Sequence, residues 1–370
     1  MILSKKVRLR PTPEQEQKLW QSAGTARYIY NYTLAKQEEN YKNGGKFISD
    51  NDIRKEITLL KQTELSWLNE VSNNVAKQAV KDACTAYKRY FKKQSAKPKF
   101  KSRKRTKPSF YNDCHKLKVK SKQVLLEKIG WVLTSEQIPM DTKYTNPRIS
   151  FDGKYWYLSV GIETKPSKIT LTGESIGIDV GIKNLAVCSN GITIPNINKT
   201  KTVKKLEKRL RRLQRKVSNK YQLNKKGGTF VKTRNIIKLE KSIRLLHRRL
   251  SNIRENHLHQ ATTKIVKAKP SRVVIETLNI QGMLKNKHLS KAIASQGLYE
   301  FKRQLKYKCE FYGIELVEAD RFFPSSKLCS ECGHKKTKLA LSERTYICEE
   351  CGVILDRDYN AAINLSRYIA

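Results

Sequence analysis

Four cysteines late in the chain constrain its fold more than any other feature of the sequence. They form two C-x-x-C pairs with fifteen residues between them: Cys329 and Cys332, then Cys348 and Cys351. Two thiolates two residues apart can bind one ion from a tight turn, and a second pair completes a tetrahedron. Four protein ligands leave no open coordination position, so the spacing predicts a structural zinc ion rather than a catalytic one.

The strong positive charge of the chain indicates a polyanionic partner. Its 370 residues include 76 lysines and arginines against 33 acids, which gives a formal net charge of +43. Such self-repulsion is tolerated when a polyanion neutralises it, and nucleic acid does so with release of counterions. A membrane surface is the alternative, but no stretch of the sequence approaches the roughly 18 apolar residues of a spanning helix.

The N-terminal residues and the remaining cysteines predict a reducing compartment. Met1 to Lys6 contain no apolar signal region, so export is not expected. The other four cysteines are scattered singly along the chain, which favours reduced thiols. Both observations indicate the cytoplasm or the nucleoid.

The first half of the chain changes from a helical to a β pattern. Lys6–Arg10 alternates as a short strand does, and helical periodicity then extends over residues 12–93, with one helix predicted to begin after Ser72. Short alternating runs follow over residues 94–173, with a hairpin turn at Asp152-Gly153. These runs predict a small, mostly antiparallel barrel or sandwich.

The second half of the chain alternates strands with helices, which indicates an α/β layer. Ile176–Val180 and Arg272–Glu276 have the pattern of buried strands, and Leu298–Tyr312 has that of a helix. Two apolar stripes within residues 203–254 keep a heptad-like spacing on either side of a Gly-Gly pair. They predict a helical hairpin with a basic outer surface.

Three acids stand at positions that point to metal chemistry. Asp179 interrupts an apolar strand, Glu276 ends another, and Asp358 opens a short helix after the second cysteine pair. A buried unpaired charge is costly, so such acids usually pair or bind a metal. Three carboxylates at one point suit two divalent ions about 3.5–4 Å apart, which activate water for phosphodiester hydrolysis. The alternative is that each acid is a solvated surface residue or a helix cap.

Several segments of the sequence resemble the signature segments of the TnpB family. They are Gly177–Ala186, Val274–Asn279, Pro324–Gly333 and Asp356–Ala362, preceded near the N-terminus by Val7–Gln15 and Ala26–Asn31. TnpB proteins are encoded by insertion sequences and are described as RNA-guided DNA nucleases related to type V CRISPR effectors. The resemblance covers nearly the whole chain in one order, and its C-terminal motifs are highly specific.

The resemblance implies three catalytic acids, which fall on Asp179, Glu276 and Asp358 and would bind Mg²⁺, two ions in all. Asp356 lies in the same last motif and is the alternative third acid. The family commonly has Asp after the glutamate, where this chain has Thr277. Because Glu276 itself is intact, we expect this departure to matter little.

The resemblance also implies a multidomain protein of α+β and α/β class. Its expected parts are a wedge strand (1–11), a helical recognition domain (12–93), a β-barrel wedge domain (94–173), a RuvC-like nuclease domain of RNase H type (174–325) with a basic helical hairpin at about 201–264, an inserted zinc ribbon (326–355) and a last RuvC-like segment (356–370). The expected partners are a guide RNA from the transposon end and double-stranded target DNA, with one chain per guide RNA, in a prokaryotic cell.

Two basic segments are predicted to contact phosphates, which gives affinity without sequence information. One is the run Lys92–Lys107 and the other is the helical hairpin. The candidate residues are Lys99, Lys101, Arg103, Lys104, Arg105, Arg209, Arg212 and Arg248. The alternative for any one of them is a solvated charged surface.

The leading hypothesis is therefore a metal-dependent, RNA-guided DNA endonuclease in which guide pairing reads the target beside a short flanking motif. A guided DNA-binding regulator without cleavage is a second hypothesis, which the intact acids disfavour. A transposase that performs strand transfer is a third, because RNase H-like folds support both reactions. A zinc-ribbon nucleic-acid-binding protein with incidental acids is a fourth.

Overall fold

Two units divide the chain, Met1–Thr164 and Lys165–Ala370. The computed structural model describes residues 1–140, 142–167, 169–340 and 342–369. Both units contain helices and sheets, so the protein is of mixed α+β class.

Three helices form the helical part of the first unit: α1 (Pro13–Lys42), α2 (Asp50–Leu60) and α3 (Asn73–Phe91). Each begins at a hydroxyl cap, since the side chains of Thr12, Ser49 and Ser72 accept hydrogen bonds from backbone amides in the first turn. The predicted N-cap at Ser72 is thus confirmed. The helices share a buried apolar core that includes Ile29, Ile53 and Val80.

Seven strands form an antiparallel sheet in the same unit. They are β1 (Ile2–Arg10), β2 (Ser109–Tyr111), β3 (Lys118–Lys120), β4 (Gln123–Leu126), β5 (Gly130–Thr134), β6 (Tyr144–Phe151) and β7 (Trp156–Glu163). The order is β2-β6-β7-β1-β5-β4-β3, so the N-terminal strand lies at the centre of the sheet. The predicted hairpin turn is confirmed, because the Asp152 carboxylate accepts hydrogen bonds from the amides of Lys154 and Tyr155 between β6 and β7.

The second unit is built on a five-stranded sheet of mixed direction. Its strands are β8 (Ser175–Val180), β9 (Asn184–Cys188), β10 (Thr193–Pro195), β13 (Arg272–Glu276) and β14 (Glu315–Ala319), in the order β10-β9-β8-β13-β14. Strands β8, β13 and β14 run parallel to one another, whereas β9 and β10 are antiparallel to their neighbours. The predicted α/β layer is therefore present, with an antiparallel addition at one edge.

The helices of the second unit pack on this sheet or project from it. They are α4 (Lys201–Leu223), α5 (Arg234–Lys267), α6 (Ile280–Lys285), α7 (Ser290–Gln296), α8 (Leu298–Tyr312) and α9 (Arg357–Ser366). Leu258 and Ile265 of α5 and Phe301 and Leu305 of α8 enter the core on one face of the sheet. The predicted hairpin is confirmed, because Leu206 and Leu210 of α4 pack against Leu246 and Leu250 of α5. Two short strands, β11 (Lys225–Lys226) and β12 (Thr229–Phe230), form the connection.

Helix α9 covers the opposite face of strand β8 at unusually short range. Ile176, Ile178 and Val180 point into the core shared with α5 and α8. Gly177 and Asp179 occupy the other face, because side chains alternate along a strand. A Cβ atom at Gly177 would lie 2.0 Å from the Ala362 carbonyl oxygen and 2.3 Å from the Ser366 nitrogen. The helix backbone therefore rests directly on the glycine, which fixes α9 beside Asp179.

Candidate metal centres and acidic site

The four cysteine sulfurs converge at one point. Their Sγ atoms all lie within 4.8 Å of one another, with 3.6 Å between Cys329 and Cys351 and 3.5 Å between Cys332 and Cys348. A disulfide would need about 2.05 Å, whereas four thiolates about 2.3 Å from one zinc ion lie roughly 3.8 Å apart. The cluster could therefore hold a metal ion such as zinc, as the spacing predicted.

Tight turns behind the cysteines create this convergence. Gly333 and Gly352 directly follow the pairs with φ of +74° and +71°, which other residues rarely adopt. The Gly333 amide donates to the Cys329 carbonyl oxygen at 3.0 Å, and the Cys348 amide donates to the Val353 carbonyl oxygen at 3.0 Å. Strands β15 (Thr345–Ile347) and β16 (Ile354–Asp356) form a hairpin around the second pair.

The parallel pairing of β8 and β13 brings two of the predicted acids together. Ile178 lies opposite Ile275, so Asp179 and Glu276 are the next residues at the same edge of the sheet. The Val180 amide donates a hydrogen bond of 3.1 Å to Glu276 Oε1, which fixes that carboxylate at the end of its strand. The strand-end position that suggested a site in the sequence thus places both acids side by side at one edge of the sheet.

Asp358 approaches the same point from the first turn of α9. The Asp356 carboxylate caps this helix and accepts from the amides of Asp358 and Tyr359 at 2.9 and 3.2 Å. Asp356 is exposed, whereas the Asp358 side chain is only 17% exposed and lies 3.7 Å from the Arg344 guanidinium. Of the two aspartates in this motif, Asp356 is therefore engaged as a cap and Asp358 faces the acidic site.

The electrostatics of the three acids reflect their proximity. Burial raises the pKa of Asp179 well above its usual range, and the charges of Glu276 and Asp358 raise it further. Burial also raises the pKa of Glu276 to about 7, against a lowering by its hydrogen bond from the Val180 amide, and the Asp358 charge adds to the rise. Enclosed like charges that repel one another are what a bound cation would stabilise.

Two buried asparagines tie α9 to the cysteine segment, a role that sequence reasoning missed. Asn360 donates to the Leu328 carbonyl oxygen at 2.7 Å and accepts from the Ser330 amide at 2.9 Å. Asn364 donates to the carbonyl oxygens of Ser325 and Leu328 at 2.8 and 2.7 Å. The sequence pattern that could have revealed this role is the Asn-Ala-Ala run after Asp358. In this run a polar side chain precedes two small residues that pack on β8.

The predicted phosphate-contacting residues differ in their surroundings. Lys99, Arg103, Lys104 and Arg105 are exposed in the first unit, and Arg209 and Arg212 are exposed on α4. Arg248 is partly buried on α5. The Lys101 ammonium lies 3.5 Å from the centroid of the Tyr30 ring, and burial lowers its pKa. Lys101 is thus engaged within the first unit.

A membrane surface was the alternative partner for so much positive charge. Within the described ranges, no helix has the length and apolar character needed to cross a bilayer.

Comparison with solved structures defines the class of the fold. A Cas12f1 chain from a cryo-EM structure with sgRNA and target DNA matches at a TM-score of 0.59 and 17% identity, over 95% of this chain and 82% of that chain. At this identity the likeness concerns the fold alone, and it assigns the protein to the mixed α+β class of that effector.

Comparison with family models and curated proteins identifies the family. Models described as "Helix-turn-helix domain", "Probable transposase" and "Cas12f1-like, TNB domain" match residues 1–46, 158–287 and 299–365. A Streptomyces pristinaespiralis protein assigned by name as an RNA-guided DNA endonuclease is 34% identical over 97% of this chain and 87% of its own length. The similarly assigned InsQ of Escherichia coli K12 is 30% identical over 97% and 90%. The chain belongs to the TnpB family.

The helix-turn-helix description differs from the structure of residues 1–46. This segment contains strand β1 and the single 30-residue helix α1. Its apolar residues instead serve two cores, because Leu19 of α1 packs under the seven-stranded sheet and Ile29 packs among the helices.

Proposed function

We propose that the protein is an RNA-guided DNA endonuclease encoded by an insertion sequence. The observation that carries this proposal is the convergence of Asp179, Glu276 and Asp358 from two parallel strands and a helix. The names of the Streptomyces and Escherichia relatives support the guided activity. In this proposal the guide RNA pairs with target DNA next to a short flanking motif, and the acidic site then hydrolyses the strands in turn.

The three acids would hold Mg²⁺, because carboxylate oxygens are hard ligands and suit this hard cation. Among the described residues, only the cysteine sulfurs gather within 4.8 Å as a group of three or more. The acids are thus spread more widely, which suits two ions rather than one. When bound, such ions lower the pKa of a water molecule and neutralise charge on the phosphate.

The contribution of the chain itself is rigid positioning of these carboxylates. The Val180 amide orients Glu276, and the packing of α9 on Gly177 fixes Asp358 relative to Asp179. Arg344, 3.7 Å from Asp358, adds a positive charge at the rim. Fixed ligands need little rearrangement when a phosphodiester enters, which is the main protein contribution to this kind of catalysis.

The other segments receive roles by the same proposal. Residues 174–325 and 356–370 form the RuvC-like, RNase H-type domain, and residues 326–355 form a zinc ribbon with a structural ion. Residues 12–93 serve as the recognition domain, and residues 1–11 with 94–173 serve as the wedge domain. One chain binds one guide RNA from the transposon end and acts on double-stranded DNA in the cytoplasm or nucleoid.

Plasmid cleavage by a reconstituted ribonucleoprotein tests the proposal. The protein is co-expressed with RNA from its own transposon end and supplied with Mg²⁺ and a plasmid that carries the guide-matched target beside a randomised flank. We expect linear product with the parent and none with Asp179→Ala or without RNA. If Asp179→Ala cuts as well as the parent, the site assignment is wrong.

The same experiment separates the other candidate functions. A stable complex with an uncut target in the parent would indicate a guided regulator. Strand transfer that does not need RNA would indicate a transposase, the activity named in the description of one matching family model. Nucleic-acid binding that is independent of a guide, with no cleavage, would indicate a zinc-ribbon binding protein with incidental acids.

A further inference from the structure

The loop that follows β14 presents one aromatic side chain to solvent. This loop, Asp320–Ser325, contains two adjacent phenylalanines. Phe323 packs inward with its ring centroid 4.9 Å from that of Tyr368, whereas Phe322 is 83% exposed. A single exposed apolar side chain is ordinary on a protein surface, so the significance of Phe322 depends on its support and its neighbours.

Hydrogen bonds hold this loop in one conformation. The Phe322 amide donates to Asp320 Oδ1 at 2.7 Å, and the Phe323 amide donates to the Asp320 carbonyl oxygen at 3.1 Å. The Tyr368 hydroxyl accepts from the Asp320 amide at 3.2 Å, and Asn364 donates to the Ser325 carbonyl oxygen at 2.8 Å. The Phe322 ring therefore projects from a fixed support, and little conformational entropy would be lost on binding.

The loop lies at the edge of the sheet that carries the acids. Glu276 at the end of β13 is opposite Ala319 at the end of β14, and the Thr277 hydroxyl donates to the Ala319 carbonyl oxygen at 2.7 Å. A cavity of about 250 Å³ lies beside the two strand ends. Its lining includes Glu276, Asn279, Asp320, Arg321, Phe323 and Ser325. Because Glu276 lines this cavity, a group bound in it lies next to that acid.

A cation accompanies the exposed ring. The Arg321 guanidinium lies 5.5 Å from the centroid of the Phe322 ring. An aromatic face combined with an adjacent cation is the arrangement that binds unpaired nucleotides, by stacking on the base and contact with the phosphate. A duplex offers no free base face at this position, and the charge of +43 favours a polyanion over a protein ligand.

We propose that Phe322 and Arg321 form a subsite for an unpaired nucleotide of the strand to be cut, directly beside the phosphodiester at Glu276. Phe322 stacks on the base, Arg321 contacts the neighbouring phosphate, and the cavity admits the adjoining sugar. This inference rests on the proposed nuclease function and adds to it a named contact for the strand that enters the acidic site. Phe322 and Arg321 are positioning residues in this reaction.

The first test compares Phe322→Ala with Phe322→Trp in single-turnover cleavage of a guide-matched target. We expect Phe322→Ala to slow cleavage about tenfold, the lower range of a lost stacking contact, and to broaden the cut positions. Target binding through guide pairing should stay within about twofold of the parent, and Phe322→Trp should restore rate and cut position. Tyr299→Ala is the matched control, because Tyr299 is another exposed aromatic side chain, 70% exposed on α8.

An unchanged rate and an unchanged cut position in Phe322→Ala would overturn the subsite. So would failure of Phe322→Trp to restore cleavage while it retains parental folding and target binding. If the parent itself does not cut, the proposed function fails, and a second measurement decides the subsite independently.

The second test is photo-crosslinking in the Asp179→Ala background, which needs no cleavage. A single-stranded oligonucleotide that contains 5-iodouracil is irradiated with the protein, and tryptic peptides are mapped. We expect a crosslink on the peptide Phe322–Lys327 that is lost in Phe322→Leu and absent with the same sequence as a duplex. Crosslinks elsewhere, with none on this peptide, would reject the subsite whatever the cleavage result.

Discussion

Asp179 and Glu276 serve the proposed function, but their buried charges lower the stability of the folded protein. Burial and mutual repulsion raise the pKa values of both carboxyls, and the Val180 amide offsets this in part for Glu276. Sites that hold uncompensated charge for a ligand commonly reduce stability in the absence of that ligand. Substitutions that remove a charge from the acidic site should therefore abolish cleavage and raise the stability of the metal-free protein.

The first prediction concerns Asp179→Asn. In metal-free protein at neutral pH, this change should raise the melting temperature of the second unit, by about 2–4 °C for each kcal/mol gained, and abolish cleavage. The reason is that a neutral amide of the same shape removes one of the repelling charges. Thermal unfolding in the presence of a chelator measures the effect.

Asp356→Ala is the control for this prediction. Because Asp356 caps α9, its loss should lower stability by about 1 kcal/mol. A metal-free Asp179→Asn protein that melts at or below the parental temperature would contradict the account of the site.

Residue-level roles were partly readable from the sequence. Asp179 and Glu276 could be singled out because an acid at the end of an apolar strand is unusual. The cation–π contact of Lys101 with Tyr30 could not be predicted from the sequence, because these residues are 71 positions apart and only the folded unit brings them together. The same holds for Asn360, whose partners Leu328 and Ser330 lie across the cysteine segment.

At the scale of elements, the contact between β8 and α9 decides the geometry of the acidic site. The second prediction is that Gly177→Ala lowers the free energy of unfolding by about 3 kcal/mol, the upper range for overpacking, and abolishes cleavage. The added Cβ would meet backbone atoms of Ala362 and Ser366, so the whole helix and Asp358 with it must shift.

Chemical denaturation measures this loss, and Gly173→Ala is the matched control. A Cβ at Gly173 meets no heavy atom within 4 Å, so this variant should resemble the parent in stability and cleavage. Equal effects of the two changes would argue against a close contact of α9 with β8.

The third prediction concerns the four-cysteine cluster. Cys348→Ser should lose the bound zinc and reduce cleavage strongly, because Asn360 and Asn364 anchor α9 to backbone oxygens of this segment. Guide RNA binding should persist. Metal analysis, solubility and cleavage are measured together, with Cys114→Ser as the control that keeps its zinc, since Cys114 is not in the cluster. Full cleavage by a zinc-free Cys348→Ser protein would refute a supporting role.

Elements with strong local signals were predictable and short ones were not. The helix Leu298–Tyr312 and the helix after Ser72 follow from apolar periodicity and caps. Helices α6 and α7 were missed because they span only six and seven residues, too few to establish a period, and α6 has no buried residue. Their positions depend on tertiary contacts, such as the burial of Ile293 of α7.

At the scale of the whole molecule, the net charge of +43 favours binding of nucleic acid. The single cationic side chains differ, however, in how available they are to phosphates. The fourth prediction is that Arg209→Gln with Arg212→Gln reduces the slope of log Kobs against log salt for nucleic-acid binding by about one for each arginine. Both side chains are exposed on α4 and free to neutralise phosphates.

Lys101→Gln is the matched control in this salt titration. Its ammonium is occupied by Tyr30, so the slope should remain parental even if the first unit loses some stability. A slope that falls equally in Lys101→Gln would show that total charge, rather than its exposed fraction, governs binding.

The order of the acidic site along the chain has a consequence for protein synthesis. Asp179 emerges from the ribosome first, Glu276 follows about a hundred residues later, and Asp358 comes only after the cysteine segment that anchors its helix. A chain interrupted before α9 carries at most two of the three carboxylates, and no helix covers Gly177. Incomplete translation products of this nuclease should therefore be unable to damage the genome that encodes them.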